Sequence, residues 1–229
     1  MIGIIGAMSI EVDALKALCE NKEIETISGI EYVKGTLCGK KVVIATCGIG
    51  KVNSAICAQT MLLNFKPSLL INTGVAGSLS NELDIGDIAI PHSAVEADFD
   101  LSPLGMETGY IPEIKSKNIS CTDRVVKRLT DAAKKEGLKV KSGIVATTDA
   151  FISGKDKKDY LAKKFNAVAC EMEGGSIAHT AYLNGVDFAI IRAISDKADG
   201  SSHMDFMKFC KMAAENSVKL ICRFIGEME

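Results

Sequence analysis

The chain has 229 residues, 47% of them hydrophobic and 24% charged, with a formal net charge of −2 at pH 7. That balance can fill a packed core, which excludes disorder and low complexity, and it lacks the concentrated basic surface that a nucleic-acid binder needs. At about 150 residues per domain the length falls between one domain and two, and no stretch reads as a linker, so we expect a single domain over 1–229.

The eight cysteines form no C-x-x-C pair and mostly sit beside Val, Ile or Ala, as buried free thiols do in a reducing cytosol. His92, His179 and His203 have no paired spacing, so no metal site is expected. The start, MIGIIGAM, lacks a basic segment and a long apolar one, and reads as a strand rather than a signal peptide. No apolar run approaches the length of a bilayer crossing. These features predict a soluble cytoplasmic protein with neither membrane nor nucleic-acid partner.

Short β-branched runs alternate with helical patterns along the chain. Strands are predicted at Ile2–Gly6, Lys41–Thr46, Ser68–Asn72, Asp87–Pro91, Ser142–Ala146, Ala167–Cys170 and Phe188–Ala193, several of them apolar on both faces as in a covered sheet. Helices are predicted over 9–20, 51–65, 122–136, 155–165, 173–184 and 203–226. The last is the clearest, with Phe206, Phe209, Cys210, Ala213, Ser217, Leu220, Ile221 and Phe224 at helical spacing and Ser202 and Asp205 as a capping-box-like start. Alternation of this kind predicts an α/β sandwich on a parallel or mixed sheet. Residues 93–118, with Pro103, Gly105, Gly109 and Pro112, read as a long loop, either functional or a surface excursion.

Ligands of such sheets bind at the carboxyl ends of the strands. There the sequence offers Glu11, Glu171 with Glu173, and Asp196, together with the glycine turns Cys47-Gly48-Ile49-Gly50-Lys51 and Thr73-Gly74-Val75-Ala76-Gly77. Carboxylates without a histidine or an evident nucleophile suit proton transfer and the stabilisation of a cation. Each also has an ordinary reading. Glu11 follows Ser9, a natural helix cap, and would be favoured there by the helix dipole alone; Glu173 opens a helix; Glu171 could pair with a basic residue; Asp196 could be a turn residue; Met8, Met172, Phe151 and Phe206 could be core.

Taken together, in order, Gly3-Ile4-Ile5-Gly6-Ala7-Met8-x-x-Glu11-Val12, Gly48-Ile49-Gly50-Lys51-Val52, Ile71-Asn72-Thr73-Gly74-x-Ala76-Gly77, Gly86-Asp87-Ile88, Asp149-Ala150-Phe151-Ile152, Glu171-Met172-Glu173 and Arg192-Ala193-Ile194-Ser195-Asp196 closely resemble the bacterial 5′-methylthioadenosine/S-adenosylhomocysteine nucleosidases of the nucleoside phosphorylase superfamily. The resemblance implies a three-layer α/β/α sandwich with a central mixed β-sheet. It implies hydrolysis of the N-glycosidic bond of methylthioadenosine and S-adenosylhomocysteine, and of 5′-deoxyadenosine, in methionine salvage, with no cofactor, adenine nucleosides and water as the small-molecule partners, and a homodimer. By the same resemblance Asp196 is the acid that protonates adenine N7, and Glu11 deprotonates the attacking water. Glu173 holds the ribose hydroxyls with Met172 against the sugar, Phe151 stacks on adenine, and the Ile152 backbone reads its edge. Met8, Ile49 and Phe206 line the 5′-alkylthio pocket, with Ser195, Gly77 and Glu171 also around the substrate. Leu101, Leu104 and Pro112 close the pocket of the other subunit. Val75 and Leu104 depart from the family pattern, in which a serine and an aromatic are common.

The chemistry requires Asp196 to carry a proton near neutral pH, or to share one with Ser195 and the base, and Glu11 to stay ionised. A phosphorylase of the same superfamily is the nearest rival, but no arginine precedes Arg124 to hold phosphate on the early glycine turns. Hydrolysis of an aminofutalosine-type nucleoside is a second rival, and a binding module that has lost its chemistry a third; the joint presence of Glu11, Glu173 and Asp196 argues against the last.

Overall fold

Runs that are apolar on both faces become the inner strands, and the segments between them fold back as covering helices. The computed structural model describes residues 1–200 and 202–228. The first half contains β1 (Ile2–Gly6), α1 (Ser9–Leu18), β2 (Glu20–Ile27), β3 (Ile30–Leu37), β4 (Lys40–Thr46), α2 (Lys51–Phe65), β5 (Leu69–Ser78), β6 (Ile88–Ala89) and β7 (Ser93–Glu96). The second contains β8 (Ile119–Ser120), α3 (Asp123–Lys135), β9 (Val140–Lys141), β10 (Ile144–Thr147), α4 (Lys155–Phe165), β11 (Ala167–Glu171), α5 (Gly174–Leu183), β12 (Asp187–Asp196) and α6 (Ser202–Gly226). The capping role expected of the Ser202 side chain lies outside the described residues.

The strands form one mixed sheet in which β1, β4, β5 and β12 pair in parallel. On one face α1, α3 and α6 bury Val12, Leu15, Val125, Leu129, Leu220 and Ile221 against Ile4, Ile44, Ile71 and Ile191. On the other α2 and α5 bury Cys57, Ala58, Met61, Ile177 and Ala181 against Ile5, Val43, Leu70 and Ile190. This is the α/β/α sandwich expected from the alternation of patterns. Among the described residues no helix is long and apolar enough to cross a membrane.

Strand β5 organises the site. All ten of its residues, Leu69–Ser78, are buried, and β12 runs beside it in parallel for nearly its whole length. On its other side β1 pairs with Leu69 to Asn72 only, and β11 joins it, antiparallel, at Gly77 and Ser78. Thr73 to Ala76 therefore lie where one neighbouring strand has ended and the next has not begun. A break of this kind at the carboxyl end of parallel strands is where α/β sheets place ligands.

Three expectations need correction. The hairpin β2–β3 was not predicted: β2 is an exposed edge strand with charges on both faces, so it has no apolar period, although Ser28 and Gly29, both at positive φ, are an I′-type turn signal. Residues 93–118 are not all loop, because Ser93–Glu96 form a buried strand between β10 and β8, too short to show a period. Ser9 does not cap α1; Met8 occupies the cap position without a side-chain bond, and the amides there are satisfied by Glu11.

Candidate active site

Glu11 sits in the first turn of α1 but turns back across the sheet break and is 2% exposed. Its Oε2 accepts from the amides of Ala7 (2.7 Å) and Met8 (2.9 Å), and its Oε1 accepts from the amide of Val75 at 3.0 Å. The last bond replaces the ladder bond that a neighbouring strand would have made to β5. Burial pushes the Glu11 carboxyl above its ordinary value, opposed by Arg192 and by the amides of Met8, Val75 and Ala7. Simple retention of the charge is therefore not what its surroundings impose; they make it a stronger base.

Beneath Glu11 lies Arg192, fully buried in β12 and cross-strand from Gly74. Its Nη2 donates to Asn72 Oδ1 at 2.5 Å and to Glu171 Oε2, and lies 3.6 Å from Glu173 Oε2. Asn72 is held in turn by its amide on the Ile5 carbonyl at 3.1 Å. Arg192 Nε and Nη1 have no hydrogen-bond acceptor among the described residues. Residue 74 has to be glycine here: a Cβ would lie 2.0 Å from Arg192 Nη1 and 2.7 Å from Glu11 Oε1.

The Glu171–Glu173 pair divides two tasks. Glu171 Oε2 accepts from the amides of Glu173 (3.0 Å) and Gly174 (2.7 Å), so it caps α5, while Oε1 accepts from the Thr147 hydroxyl. Its pairing with a basic residue is realised through Arg192. Glu173, freed from capping, reaches across to α2, where its Oε1 accepts from the Gly50 amide at 2.9 Å. Burial and the neighbouring carboxylates Glu171 and Glu11 outweigh Arg192 and hold Glu173 at about 7.

Asp196 ends β12 after a bulge at Ser195, a device that re-aims side chains beside active sites. Its Oδ2 accepts from the Ser195 hydroxyl at 2.9 Å and its Oδ1 from the Ala198 amide at 2.8 Å. It lies opposite Gly77, where a Cβ would come within 2.9 Å of Asp196 Oδ1.

Glu11, Glu171, Glu173 and Asp196 share one cavity, with Arg192 beneath it. Its walls include Met8, Glu11, Ile49, Gly77, Phe151 and Ile152 from the first two-thirds of the chain. Glu171, Met172, Glu173, Ser195, Asp196 and Phe206 join them from the last third. Phe151 meets Phe206 edge to face, with ring centroids 5.8 Å apart. Every residue expected to act on or hold a substrate within one chain is thus brought to one place. Leu101, Leu104 and Pro112 are not on these walls; Leu104 is 73% exposed on the surface. Val75, the departure from the serine pattern, borders the same cavity.

Arg192 was given no role from the sequence, although a lone arginine inside the apolar run Phe188–Ala193 is itself a signal, since such a charge stays buried only when paired. The partners of Gly50 and Thr147 leave no local pattern, because each contact joins two separate elements, Gly50 to Glu173 across 123 residues and Thr147 to Glu171 across 24.

The family model for the phosphorylase superfamily matches residues 1–226. The 5′-methylthioadenosine/S-adenosylhomocysteine nucleosidase of Halalkalibacterium halodurans is 36% identical over 228 residues, covering 99% of this chain and 98% of that one. The corresponding nucleosidase of Neisseria meningitidis, in complex with methylthio-immucillin-A, superposes with a TM-score of 0.96 at 31% identity, covering 99% of each chain. A futalosine hydrolase of Helicobacter pylori superposes with a TM-score of 0.95 at 32% identity, covering 99% of this chain and 97% of that one. A buried carboxylate floor at a break in a mixed sheet and full-length likeness of sequence and fold agree, and the chain belongs to the 5′-methylthioadenosine/S-adenosylhomocysteine nucleosidase family of the phosphorylase superfamily.

Proposed function

We propose that this protein, acting as one domain over 1–229, hydrolyses the N-glycosidic bond of 5′-methylthioadenosine and S-adenosylhomocysteine, and of 5′-deoxyadenosine, releasing adenine and the 5′-substituted ribose. The observation that carries the proposal is the convergence of Glu11, Glu173 and Asp196 on one cavity between aromatic and apolar walls.

Adenine is a poor leaving group as an anion, so Asp196 gives a proton to N7, and the bond to Ser195 fixes the direction in which the carboxyl presents it. As the bond to C1′ breaks the sugar becomes cationic, and buried carboxylates nearby stabilise that charge where water cannot screen it. Glu173 accepts from the ribose hydroxyls, with Met172 against the sugar. Glu11 takes a proton from the attacking water, and the unsatisfied Arg192 Nη1 offers a donor beside it. Phe151 stacks on the base, Ile152 reads its edge through the backbone, and Met8, Ile49 and Phe206 face the 5′-substituent. Glu171 we assign to holding Arg192 and the start of α5 rather than the substrate, because both of its oxygens already have protein partners.

Water is favoured over phosphate as acceptor on charge. The floor gathers Glu11, Glu171 and Glu173 around the one guanidinium of Arg192, so carboxyls outnumber the cation, a setting that disfavours a dianion. The reading extends to a cytoplasmic homodimer in which Leu101, Leu104 and Pro112 cover the neighbouring protomer's cavity; the exposure of Leu104, Met106, Val52 and Leu183 supports an apolar interface. The likeness to a futalosine hydrolase favours a second reading, an adenine nucleoside with a bulkier 5′-substituent in the same site.

Incubation of the purified protein with methylthioadenosine in phosphate-free buffer tests the proposal, with free adenine as the expected product. Adenine that appears only on addition of phosphate, together with ribose 1-phosphate, would reverse the choice of acceptor. Competition between methylthioadenosine and aminofutalosine separates the two substrate readings.

A further inference from the structure

Two loops that supply walls of the cavity, through Ile49 and through Phe151, meet the root of a third loop outside it in a closed ring of hydrogen bonds. Lys51, the first residue of α2, donates its amide to Asp149 Oδ1 at 2.8 Å and its ammonium to Asp98 Oδ1 at 2.6 Å. Asp98 closes the ring by accepting the Asp149 amide on Oδ2 at 2.7 Å. Lys51 Nζ is also 3.7 Å from Glu96, which pairs with His179 at 3.0 Å. The Lys51 side chain is only 17% exposed, between the sheltered Glu96 at 10% and the more open Asp98 at 36%, so the ring is anchored at its lysine and faces solvent at its aspartates.

Two of the corners belong to segments that line the cavity. Lys51 follows Ile49 and Gly50, and the Gly50 amide holds Glu173. Asp149 precedes Phe151 and Ile152 by two and three residues. Asp98 stands three residues before Leu101, at the root of the loop 97–118. Close contact at the joint requires glycine at position 50, where φ is +98° and a Cβ would lie 3.1 Å from Asp149 Oδ1.

We infer that Lys51, Asp98 and Asp149 form a clasp that sets the spacing between the ribose-holding segment, the base-stacking segment and the root of the 97–118 loop, so that these three are positioning residues for nucleoside binding. This rests on the proposed function for the identity of the nucleoside. Glu11 and Asp196 stand on α1 and β12, outside the ring, and the clasp therefore governs how tightly the nucleoside is held rather than the chemical step.

Lys51→Met, Asp98→Asn, their double variant and the conservative Lys51→Arg test this on the full chain. Each of the first two should raise KM for methylthioadenosine about tenfold, the loss expected for one charged hydrogen bond, with kcat within about threefold of the parent. The double variant should be no more than about twofold worse than either single one, because both break the same ring. Lys51→Arg should restore most of the loss. Amide exchange should quicken together in 47–52, 97–104 and 149–153 and stay unchanged in β5 and β12. Unchanged KM and exchange, or a fall in kcat and melting temperature with KM unmoved, overturns the clasp. If the parent releases no adenine the proposed substrate is wrong, and exchange alone then decides: joint loosening of the three segments upholds the clasp, and its absence overturns it.

Discussion

The floor and the rim of the cavity are built on opposite plans. The floor, made of Glu11, Glu171, Glu173, Arg192 and Asp196, is charged and almost fully buried, and each side chain is held by backbone amides or by a neighbouring charge. The rim is apolar yet open, with Ile49 53% and Phe151 46% exposed. Charge belongs inside here because a developing cation is stabilised best where water is excluded, and exposed apolar groups belong at the mouth because a nucleoside or another protomer can cover them. The contrast teaches that the reaction is invested in a buried network of mutually bonded charges, while the choice of 5′-substituent is left to side chains that can change at little cost to the fold.

The comparison can be broken first at the acid. Asp196→Asn keeps the shape of the floor and removes the proton donor, so kcat should fall by about 10²- to 10⁴-fold while nucleoside affinity, measured by calorimetry, stays within a few-fold. Turnover at the parent rate would remove Asp196 from the mechanism.

Arg192→Met strikes the floor's stability as well as its chemistry. It leaves Glu171 and Glu173 buried without their cation, and should lower unfolding stability by about 3–5 kcal/mol in a denaturant titration at neutral pH. A melting curve like the parent's would mean that the carboxylates do not depend on it.

Glu173→Gln sharpens the electrostatics. Burial raises Glu173 from 4.5 to about 7, so the folded state favours the neutral carboxyl. Its contribution to stability is then greatest below about 4.5 and is lost as pH rises through about 7. The ionised form is the one that holds the ribose, so kcat/KM should climb with pH up to about 7 and level off. The Gln variant should be less active throughout, should lose that rising limb, and should show a flatter dependence of stability on pH over the same window.

Phe151→Ala, at the rim, should do least. Loss of stacking worth about 0.5–1.5 kcal/mol predicts a KM raised by roughly two- to tenfold with kcat nearly kept. A fall in kcat as deep as that of Asp196→Asn would abolish the distinction between floor and rim.

Much of this was legible along the chain because the elements that build the site are strongly patterned. The apolar runs Ile2–Gly6 and Lys41–Thr46 and the helical spacing of 51–65 and 203–226 report burial on a fixed period, and the structure follows them within a residue or two. Edge strand β2, with no buried face, left no such trace. The acidic residues could be named because they follow strand ends, where the geometry of a parallel sheet gathers ligands whatever the loops contain.

Partnership is another matter, because it depends on distance in space rather than position in the chain. Composition and periodicity determined that this protein is an α/β sandwich, and its ordered motifs determined its family and which carboxylates to watch. Only the folded molecule decided that Glu171 caps α5 while Glu173 is left for the cavity, that Arg192 lies under both, and that Lys51, Asp98 and Asp149 close on one another. Local patterns report burial one element at a time, whereas all of these bonds but the Glu171 cap join groups tens to more than a hundred residues apart, and the worth of the buried ones is set by the low-dielectric surroundings that packing alone creates.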